Sequence, residues 1–382
     1  MEIRALGTDD LDAIRDIRTR AFGRKPDGDW DHWAALTGTT LGNGRFLGGF
    51  DGPRLIATAR IIDFGQWWHG RRVSMGGIST VTVAPEERGR GAGRKIMTAV
   101  LERCAELGHT VSVLYPATTP IYRSLGWEHA GALELVTLPS EALRTVAAAA
   151  IKVRRAVPDD AAEVRAVISS VHAATGDCGP VDWNEATWRV RLADPEAYYY
   201  LADDGFLCYR WADGNKSVEV DILVAGSEET QRGLWGIVGS GSSIARTIRA
   251  SVAPHDPALW LLKERFADEV RRMRWMFRLV DARAAIAARG FPAGVCAEIP
   301  LSVEDPQRPG NSGSWLLSVA GGTGVLAPAP ADVRAVRLGA NGLAALYAGI
   351  PSGTLRRVGL IAGQAPGLDA VFATTPYALD HF

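Results

Sequence analysis

A glycine-rich turn between a strand-like run and a helix-like run is the segment of this chain best suited to chemistry. The strand-like run is Ile78–Val83, and the turn follows in Arg88–Lys95. Gly91 and Gly93 leave no Cβ in the way of a ligand, and the backbone N–H groups of such a turn point out of the start of the next helix. Four cations flank the opening: Arg88, Arg90, Arg94 and Lys95. The pattern predicts a diphosphate-binding turn.

Two other phosphate-binding turns fit these residues less well. A Rossmann fingerprint needs Gly-x-Gly-x-x-Gly after the first strand of a parallel unit, whereas Gly89, Gly91 and Gly93 have the wrong last spacing and follow an antiparallel meander. A P-loop needs Gly-Lys-Ser/Thr, and Lys95 is followed by Ile96, which lacks the hydroxyl that holds magnesium. The alternative without function is a turn whose arginines are only solvated.

The elements that would position this turn form an internal repeat. Ile3-Arg4 matches Val153-Arg154, and Asp9-Asp10 matches Asp159-Asp160 at the same offset. In both copies a short strand leads through the acidic pair into a helix with apolar residues at helical spacing. Chance recurrence of a common strand-to-helix junction is the alternative. We predict an α/β domain over 1–148, a second copy over 149–279, and a smaller α+β domain over 280–382.

Composition indicates a globular protein with no overall attraction for polyanions. In 382 residues, 42 basic groups balance 43 acidic ones, so neither nucleic acid nor a membrane is an expected partner. The start of the chain lacks the order of a signal peptide, and no apolar run approaches the length of a membrane span. The four scattered cysteines are expected to be buried, reduced thiols. We expect a cytoplasmic protein without a metal site.

The spacing Arg88-x-x-Gly91-x-Gly93 after a strand resembles the acyl-CoA pyrophosphate loop of the GCN5-related N-acetyltransferases (GNAT enzymes). The resemblance implies acetyl-CoA as co-substrate, with the pantetheine arm paired to the backbone N–H groups of Val81 and Val83. It also implies two GNAT-type domains with mixed sheets flanked by helices. The expected acetyl-CoA contacts are Val81, Thr82, Val83, Arg88, Gly89, Arg90, Gly91, Ala92, Gly93, Arg94, Thr118 and Thr119.

The segment Ala117–Trp127 resembles the family's helix and turn beside the thioester, and its tyrosine matches Tyr122. A phenol within hydrogen-bond reach of the leaving thiolate can protonate it, which makes Tyr122 the candidate acid. Taken alone, a tyrosine in such a segment more often packs with a satisfied hydroxyl group.

A fuller resemblance, to the Eis-like (enhanced intracellular survival) aminoglycoside N-acetyltransferases, covers nearly the whole chain. It rests on Ser79–Gly93, Ile121–Trp127, Phe277–Phe291, Leu338–Gly349 and the terminal phenylalanine. The resemblance implies a degenerate second GNAT domain, a C-terminal domain like sterol carrier proteins, and a homo-oligomer, often a hexamer. In the second copy Val238–Ser242 stands at the offset of the acetyl-CoA loop but lacks the arginine.

The same resemblance implies that the terminal carboxylate, here that of Phe382, takes the proton from the acceptor amine. His381 could share this work, because imidazole is the better base near neutral pH. For the acceptor, Asp27 and Trp33 could attract and stack a cationic amine, although helix capping and packing explain them equally well. Ser79 and His381 complete the predicted substrate contacts.

The function expected from these features is direct transfer of acetyl from acetyl-CoA to a primary amine of a small cationic molecule, such as an aminoglycoside. One alternative keeps the fold and changes the acceptor to a biosynthetic amine or a lysine. A less favoured alternative is a lipid-binding protein, suggested by the sterol-carrier-like domain.

Overall fold

The computed structural model describes residues 1–24, 27–263, 269–332 and 334–382, with backbone alone for residues 27–29. The first predicted domain combines an antiparallel meander with helices that pack on it. Its strands are β1 (Glu2–Ala5), β2 (Phe46–Asp51), β3 (Arg54–Trp68), β4 (Arg71–Val83), β5 (Val111–Leu114) and β6 (Glu128–Pro139). Its helices are α1 (Leu11–Phe22), α2 (Asp27–Gly38), α3 (Ala92–Glu106) and α4 (Pro120–Arg123).

The rest of the chain repeats this arrangement and then adds a smaller layered domain. The second copy contains β7 (Val153–Arg155), α5 (Ala161–Thr175), β8 (Val181–Trp183), α6 (Glu185–Arg191), β9 (Ala197–Ala202), β10 (Gly205–Ala212), β11 (Ser217–Ala225), α7 (Glu228–Ser240), β12 (Thr247–Val252), α8 (Pro257–Leu261) and β13 (Glu269–Leu279). The third domain contains α9 (Ala282–Ala288), β14 (Ala297–Glu304), β15 (Gly313–Ala320), β16 (Thr323–Pro328), β17 (Val336–Gly339), α10 (Ala340–Tyr347), α11 (Ser352–Arg357), β18 (Ile361–Ala362), α12 (Leu368–Val371) and β19 (Tyr377–Ala378).

The internal repeat is visible in the contacts as well as in the sequence. Arg4 pairs with Asp10 at 2.8 Å, and Arg154 pairs with Asp160 at the same distance. In both copies the aspartate also accepts a hydrogen bond from a backbone N–H three residues upstream. The matched arginine and aspartate therefore close the same strand-to-helix turn twice.

The two copies share one sheet because they exchange strands. The order is β1-β2-β3-β4-β5-β13-β6-β12-β11-β10-β9-β7. Thus β13, at the end of the second copy, lies between β5 and β6 of the first, and β6 pairs with β12 of the second. Strands from both sides of the boundaries that we predicted at 148 and 280 pair within this sheet: β12 pairs with β6 across the first, and β19 pairs with β6 across the second.

The third domain is a five-stranded sheet with helices, joined to the large sheet through a buried ion pair. Its strand order is β16-β15-β14-β17-β18. Arg278 on β13 donates to both carboxylate oxygens of Asp305 at 2.7 Å, and both side chains are 1% exposed. Asn311 donates to the same carboxylate at 2.9 Å, so the buried acceptors are satisfied.

The cysteines and the lengths of the helices bear on two further predictions. Cys104, Cys178 and Cys208 are buried free thiols, as expected, but Cys296 is exposed, so the expectation was wrong for that residue. None of the helices in the described ranges combines the length and the apolar character needed to cross a bilayer.

Candidate active site

A groove opens in the large sheet where two parallel strands separate. β4 pairs with β5 from Met75 to Ile78, and the pairing ends opposite Leu114 although β4 continues to Val83. The N–H of Ala84 donates to Ile56 on β3. Because N–H groups alternate in direction along a strand, the N–H of Val83 faces the opened edge. This edge offers unpaired backbone groups of the kind that hold an extended ligand.

A β-bulge reshapes β4 at the mouth of this groove. The register of β3 and β4 shifts between Thr58 and Arg60, so that Thr80 and Val81 together oppose one residue. Thr80 has φ +51°, a strained value for a β-branched residue, and its carbonyl accepts a hydrogen bond from the Thr58 hydroxyl at 3.0 Å. Such bulges re-aim backbone groups next to active sites.

The glycine-rich turn follows β4 and leads into α3, as predicted. Gly89 and Gly91 have φ of +77° and +82°, and a Cβ added to either would meet open space. Gly93 differs, because its Cβ would lie 3.1 Å from Ile121 Cδ1. The sequence argument that Gly93 makes room for ligand is therefore corrected: its small size lets α3 pack closely on α4, while Gly89 and Gly91 form the open part of the turn.

The turn is cationic and accessible. Arg88, Arg90 and Arg94 are exposed, and Ala92 is the buried first residue of α3. Arg90 pairs with Glu87 at 3.3 Å, whereas Arg88 and Arg94 have no carboxylate partner among the described residues and reach only Ala21 O and the Ser124 hydroxyl. A diphosphate fits this turn, because the turn combines open glycines, the start of a 15-residue helix and two guanidinium groups without a described carboxylate partner.

Tyr122 lies on α4 and faces the same groove. Its ring is 6% exposed, and burial raises the pKa of its hydroxyl to about 12, so the phenol is protonated at neutral pH. Its carbonyl accepts from the N–H groups of both Leu125 and Trp127, which closes the turn behind the ring. Thr119 immediately precedes α4 and Thr118 is exposed beside it, and their contact with acetyl-CoA stays a prediction.

Side chains from β13 and from the third domain brace this turn. Arg278 donates to Leu125 O at 3.0 Å, and Asn341, on α10, donates to Trp127 O at 2.8 Å. Gly126, with φ +92°, gives the Arg278 guanidinium the space to approach. The position of Tyr122 therefore depends on side chains that lie more than 150 residues further along the chain.

The C-terminal segment crosses from the third domain into the first. β19 pairs with β6 in parallel through Ala132 and Leu133. Two glycines make this approach possible, because a Cβ at Gly131 would lie 2.4 Å from Pro376 O, and one at Gly179 would lie 2.2 Å from Tyr377 O. Such close approaches are a frequent reason for glycine inside a strand pattern.

Asp380 fixes the segment just before its last two residues. Its carboxylate pairs with Arg191 at 2.8 Å, and its carbonyl accepts from the Tyr115 hydroxyl at 2.8 Å. The Arg191 guanidinium lies over the rings of Trp183 and Trp188, at 4.6 and 4.9 Å. These contacts come from both GNAT-type copies, so the tail is held at their junction.

Phe382 then reaches the catalytic groove. Its ring lies 4.8 Å from that of Phe64 and 5.6 Å from that of Tyr115. Gly77 on β4 leaves room for it, because a Cβ there would lie 2.9 Å from the Phe382 ring. His381 packs on Tyr115 at 4.4 Å between ring centroids.

A single cavity of about 810 Å³ brings these groups together. Its lining includes Ser79, Val81, Tyr122, His381 and Phe382 from the predicted site. Trp33 also lines it and packs edge-on against Trp30 at 5.2 Å, so the packing role and the predicted substrate role apply to the same ring. Asp27 begins α2, but its side chain lies outside the described part of the structure.

The structure corrects our placement of the corresponding loop in the second copy. Val238–Ser240 ends α7 and the next residues form a 3-10 turn, so this stretch cannot be the counterpart of the acetyl-CoA loop. The counterpart is the junction of β11 and α7, where Ser227 caps the helix and Glu228 and Glu229 follow. Acidic groups at this position disfavour a diphosphate. The interpretation of the second copy as degenerate therefore rests on Glu228 and Glu229, and not on the missing arginine near Val238.

Several residues of the cavity escaped the sequence argument. Arg18 and Arg60 line it, and Trp183 enters it from the second copy. Arg60 had a signal in the sequence, since it is the one charged residue within the mainly apolar run Leu55–Ile62. Trp183 had none, because its β8 pairs with β3 across the two copies and no local pattern reports that contact.

Comparison with known proteins identifies the family. Residues 2–130 and 179–280 each match a profile described as an acetyltransferase (GNAT) domain, and residues 282–378 match a sterol carrier protein domain. The crystal structure of a GCN5-related N-acetyltransferase from Kribbella flavida is 44% identical, covers 100% of this chain and 98% of its own, and has a TM-score of 0.95.

Two sequence relatives carry related names. An uncharacterized N-acetyltransferase from Streptomyces griseus is 30% identical, over 88% of this chain and 89% of its own. N-acetyltransferase Eis from Mycobacterium tuberculosis is 27% identical over 56% of this chain and 57% of its own. The chain belongs to the GNAT acetyltransferases, with two GNAT domains and a sterol-carrier-like domain. It is an N-acetyltransferase with acetyl-CoA as its co-substrate, which confirms the predicted fold, enzyme class and co-substrate.

Proposed function

We propose that this enzyme transfers the acetyl group directly from acetyl-CoA to a primary amine while both substrates are bound. The observation that carries the proposal is the shared cavity: the opened edge of β4, the Tyr122 phenol and residue Phe382 all face it. No cysteine stands among its described lining residues, so an acyl-thiol intermediate on the enzyme has no support.

The proposed roles follow from chemistry and position. The amine nitrogen attacks the thioester carbonyl carbon, forming a C–N bond as the C–S bond breaks. The α-carboxylate of Phe382 takes the proton lost by the amine, and Tyr122 gives a proton to the departing sulfur. Backbone N–H groups of Val81 and Val83 hold the pantetheine arm and polarise the carbonyl. The remaining predicted contacts, from Thr82 to Thr119, stay predictions.

The test of the proposal is CoA release from acetyl-CoA, followed with a thiol-reactive dye over a panel of amines. The panel contains amino acids, aryl amines, polyamines, aminoglycosides and lysine peptides. Initial rates that give intersecting double-reciprocal lines support a ternary complex. Parallel lines, or acetylated enzyme in the absence of amine, would contradict direct transfer.

Removing the Arg88 guanidinium should weaken acetyl-CoA binding. We expect Arg88→Gln to raise the KM for acetyl-CoA by about tenfold, the loss typical of one charge-assisted contact, with kcat little changed. Arg246→Gln, which removes an exposed arginine outside the turn, is the matched control. An unchanged KM in Arg88→Gln would remove this residue from the pyrophosphate site.

Replacing His381 should discriminate between the two candidate bases. Partial burial lowers the pKa of His381, so its imidazole is neutral at pH 7 and could accept a proton. If the Phe382 carboxylate is the base, His381→Gln keeps kcat within about threefold and leaves the pH profile in place. A large loss of kcat with a shifted acidic limb would assign the base role to His381.

The acceptor class and assembly predicted from the resemblance are the finer parts of the proposal. Aminoglycosides are the acceptors implied by the resemblance to Eis-like enzymes, but the described cavity lining, which includes three arginines, does not favour a polycation. The lipid-binding alternative has little support: the third domain buries the Arg289 guanidinium among aromatic rings, 4.1 Å from the centroid of Tyr347.

A hexamer remains a prediction that light scattering can check.

A further inference from the structure

The acceptor cavity has an unusual distribution of charge for an enzyme that acts on amines. Three arginines line it: Arg18, Arg60 and Arg274. No aspartate or glutamate side chain stands among its described lining residues, and Phe382, whose α-carboxylate is the proposed base, is one of them. None of the three arginines has a carboxylate within 4.0 Å among the described residues.

Arg60 is the most informative of the three because it is buried. It is 7% exposed, its Nε donates to the Thr40 hydroxyl at 2.8 Å, and Nη2 donates to Leu36 O. Nη1 has no hydrogen-bond partner in the described part of the chain. Burial without an anion lowers the pKa of Arg60 to about 10. An uncompensated buried cation is costly, so a site that retains one is suited to an incoming anion.

Other buried or half-buried arginines of this chain do have a compensating partner. Arg278 is paired with Asp305 and Arg191 with Asp380, in both cases by contacts shorter than 3 Å. Arg289 has no carboxylate partner among the described residues, but aromatic rings surround it. Within the same part of the chain, Arg60 has neither kind of compensation.

Arg18 extends the same cationic wall from α1. It is half-buried and lies 5.5 Å from the Trp30 ring, without a carboxylate partner among the described residues. Arg20, two residues further along the same helix, is paired with both Asp16 and Glu86. On this helix Arg20 has two carboxylate partners, whereas Arg18, which lines the cavity, has none among the described residues.

From this arrangement we infer that the acceptor is an amine that also carries an anionic group, a carboxylate or a phosphate, which Arg60 and Arg18 bind while the amine faces Phe382. The inference rests on the proposed function and names its substrate class. A polycation would bring like charges towards these guanidinium groups, and like charges repel. A zwitterionic molecule presents its anion to the arginines and its amine to the carboxylate.

Matched acceptor pairs test the inference. Each pair differs only in the anion: an amino acid against its amide, and phosphoethanolamine against ethanolamine. We expect kcat/KM for one anionic member to exceed that of its partner by about tenfold or more, the value of one charge-assisted contact. The pair that shows the preference identifies carboxylate or phosphate.

Variants locate the preference. Arg60→Met and Arg18→Met should each reduce it at least fivefold, mainly through the acceptor KM, with the acetyl-CoA dissociation constant unchanged. Arg60→Lys should retain part of it. Arg246→Met, which removes an exposed arginine from outside the cavity, should retain all of it. If Arg60→Met does not fold, Arg18→Met and competitive inhibition by a simple carboxylate or phosphate, measured against the amine, provide the same information.

The outcomes separate this inference from the proposed function. Faster turnover of the neutral or polycationic acceptors overturns the inference and leaves the acetyltransferase proposal intact. Weakened acetyl-CoA binding in both arginine variants also overturns it, because the arginines would then serve the co-substrate. Parallel initial-rate lines, or no CoA release with any amine, count against the proposed function itself.

Discussion

Replacing Tyr122 by phenylalanine is expected to lower kcat by about 10²- to 10⁴-fold, the range of general acid catalysis, without changing the affinity for acetyl-CoA. The phenol is protonated at neutral pH because burial raises its pKa to about 12. Without it, the sulfur must leave as an unassisted thiolate. The ring itself is retained in the variant, so the packing of α4 against the groove is preserved. Single-turnover CoA release measures the effect on chemistry directly.

The control for this experiment is a tyrosine that also loses only its hydroxyl. Tyr198 lies on β9 of the second copy, stacked on Tyr209 at 5.3 Å and outside the cavity. Tyr198→Phe should keep full activity. If Tyr122→Phe retains more than about a third of kcat with an unchanged pH profile, the acid role belongs to another group or to water.

Extending the chain beyond Phe382 by two glycines is expected to lower kcat by about two orders of magnitude or more. The extension replaces the α-carboxylate by a neutral amide and adds atoms where the acceptor must sit. The tail cannot easily move aside, because Asp380 is fixed by Arg191 and Tyr115 and β19 is paired with β6. Acetyl-CoA binding, measured by calorimetry, should be nearly unaffected.

A second variant separates charge from bulk. Converting the α-carboxylate of Phe382 to a carboxamide by semisynthesis removes the charge and adds no residue. This variant should reproduce most of the loss of kcat. The same two glycines added before Met1 serve as the control. Turnover of both C-terminal variants within twofold of the parent would exclude the carboxylate as the base.

The sequence could predict those features of the enzyme that depend on local patterns of residues. The glycines and arginines of 88–95 and the alternating strands before them predicted the turn and its helix. Tyr122 was predicted through its surrounding phrase, and the paired Arg4 and Asp10 with their repeats at 154 and 160 predicted the duplication. In each case the residues that define the feature lie within a few positions of one another, or recur at a constant offset.

The parts that sequence could not supply depend on distant contacts. The path of the tail past Gly131 and Gly179 is determined by backbone approach between segments about 200 residues apart or more. The cationic lining depends on Arg18 and Arg60 converging from α1 and β3. The mistaken position of Val238–Ser242 arose because a constant offset was carried through loops of different length.

The exchange of β6 and β13 has a consequence for how the protein is made. While the chain grows from the ribosome, β5 has no partner on one edge until residues 269–279 have been synthesised. The first copy therefore keeps an open strand edge until the last strand of the second copy has been made. Such an edge is prone to pair with another chain. The second copy thus acts as an obligatory folding partner for the first, and a fragment ending near residue 148 should aggregate rather than yield a small acetyltransferase.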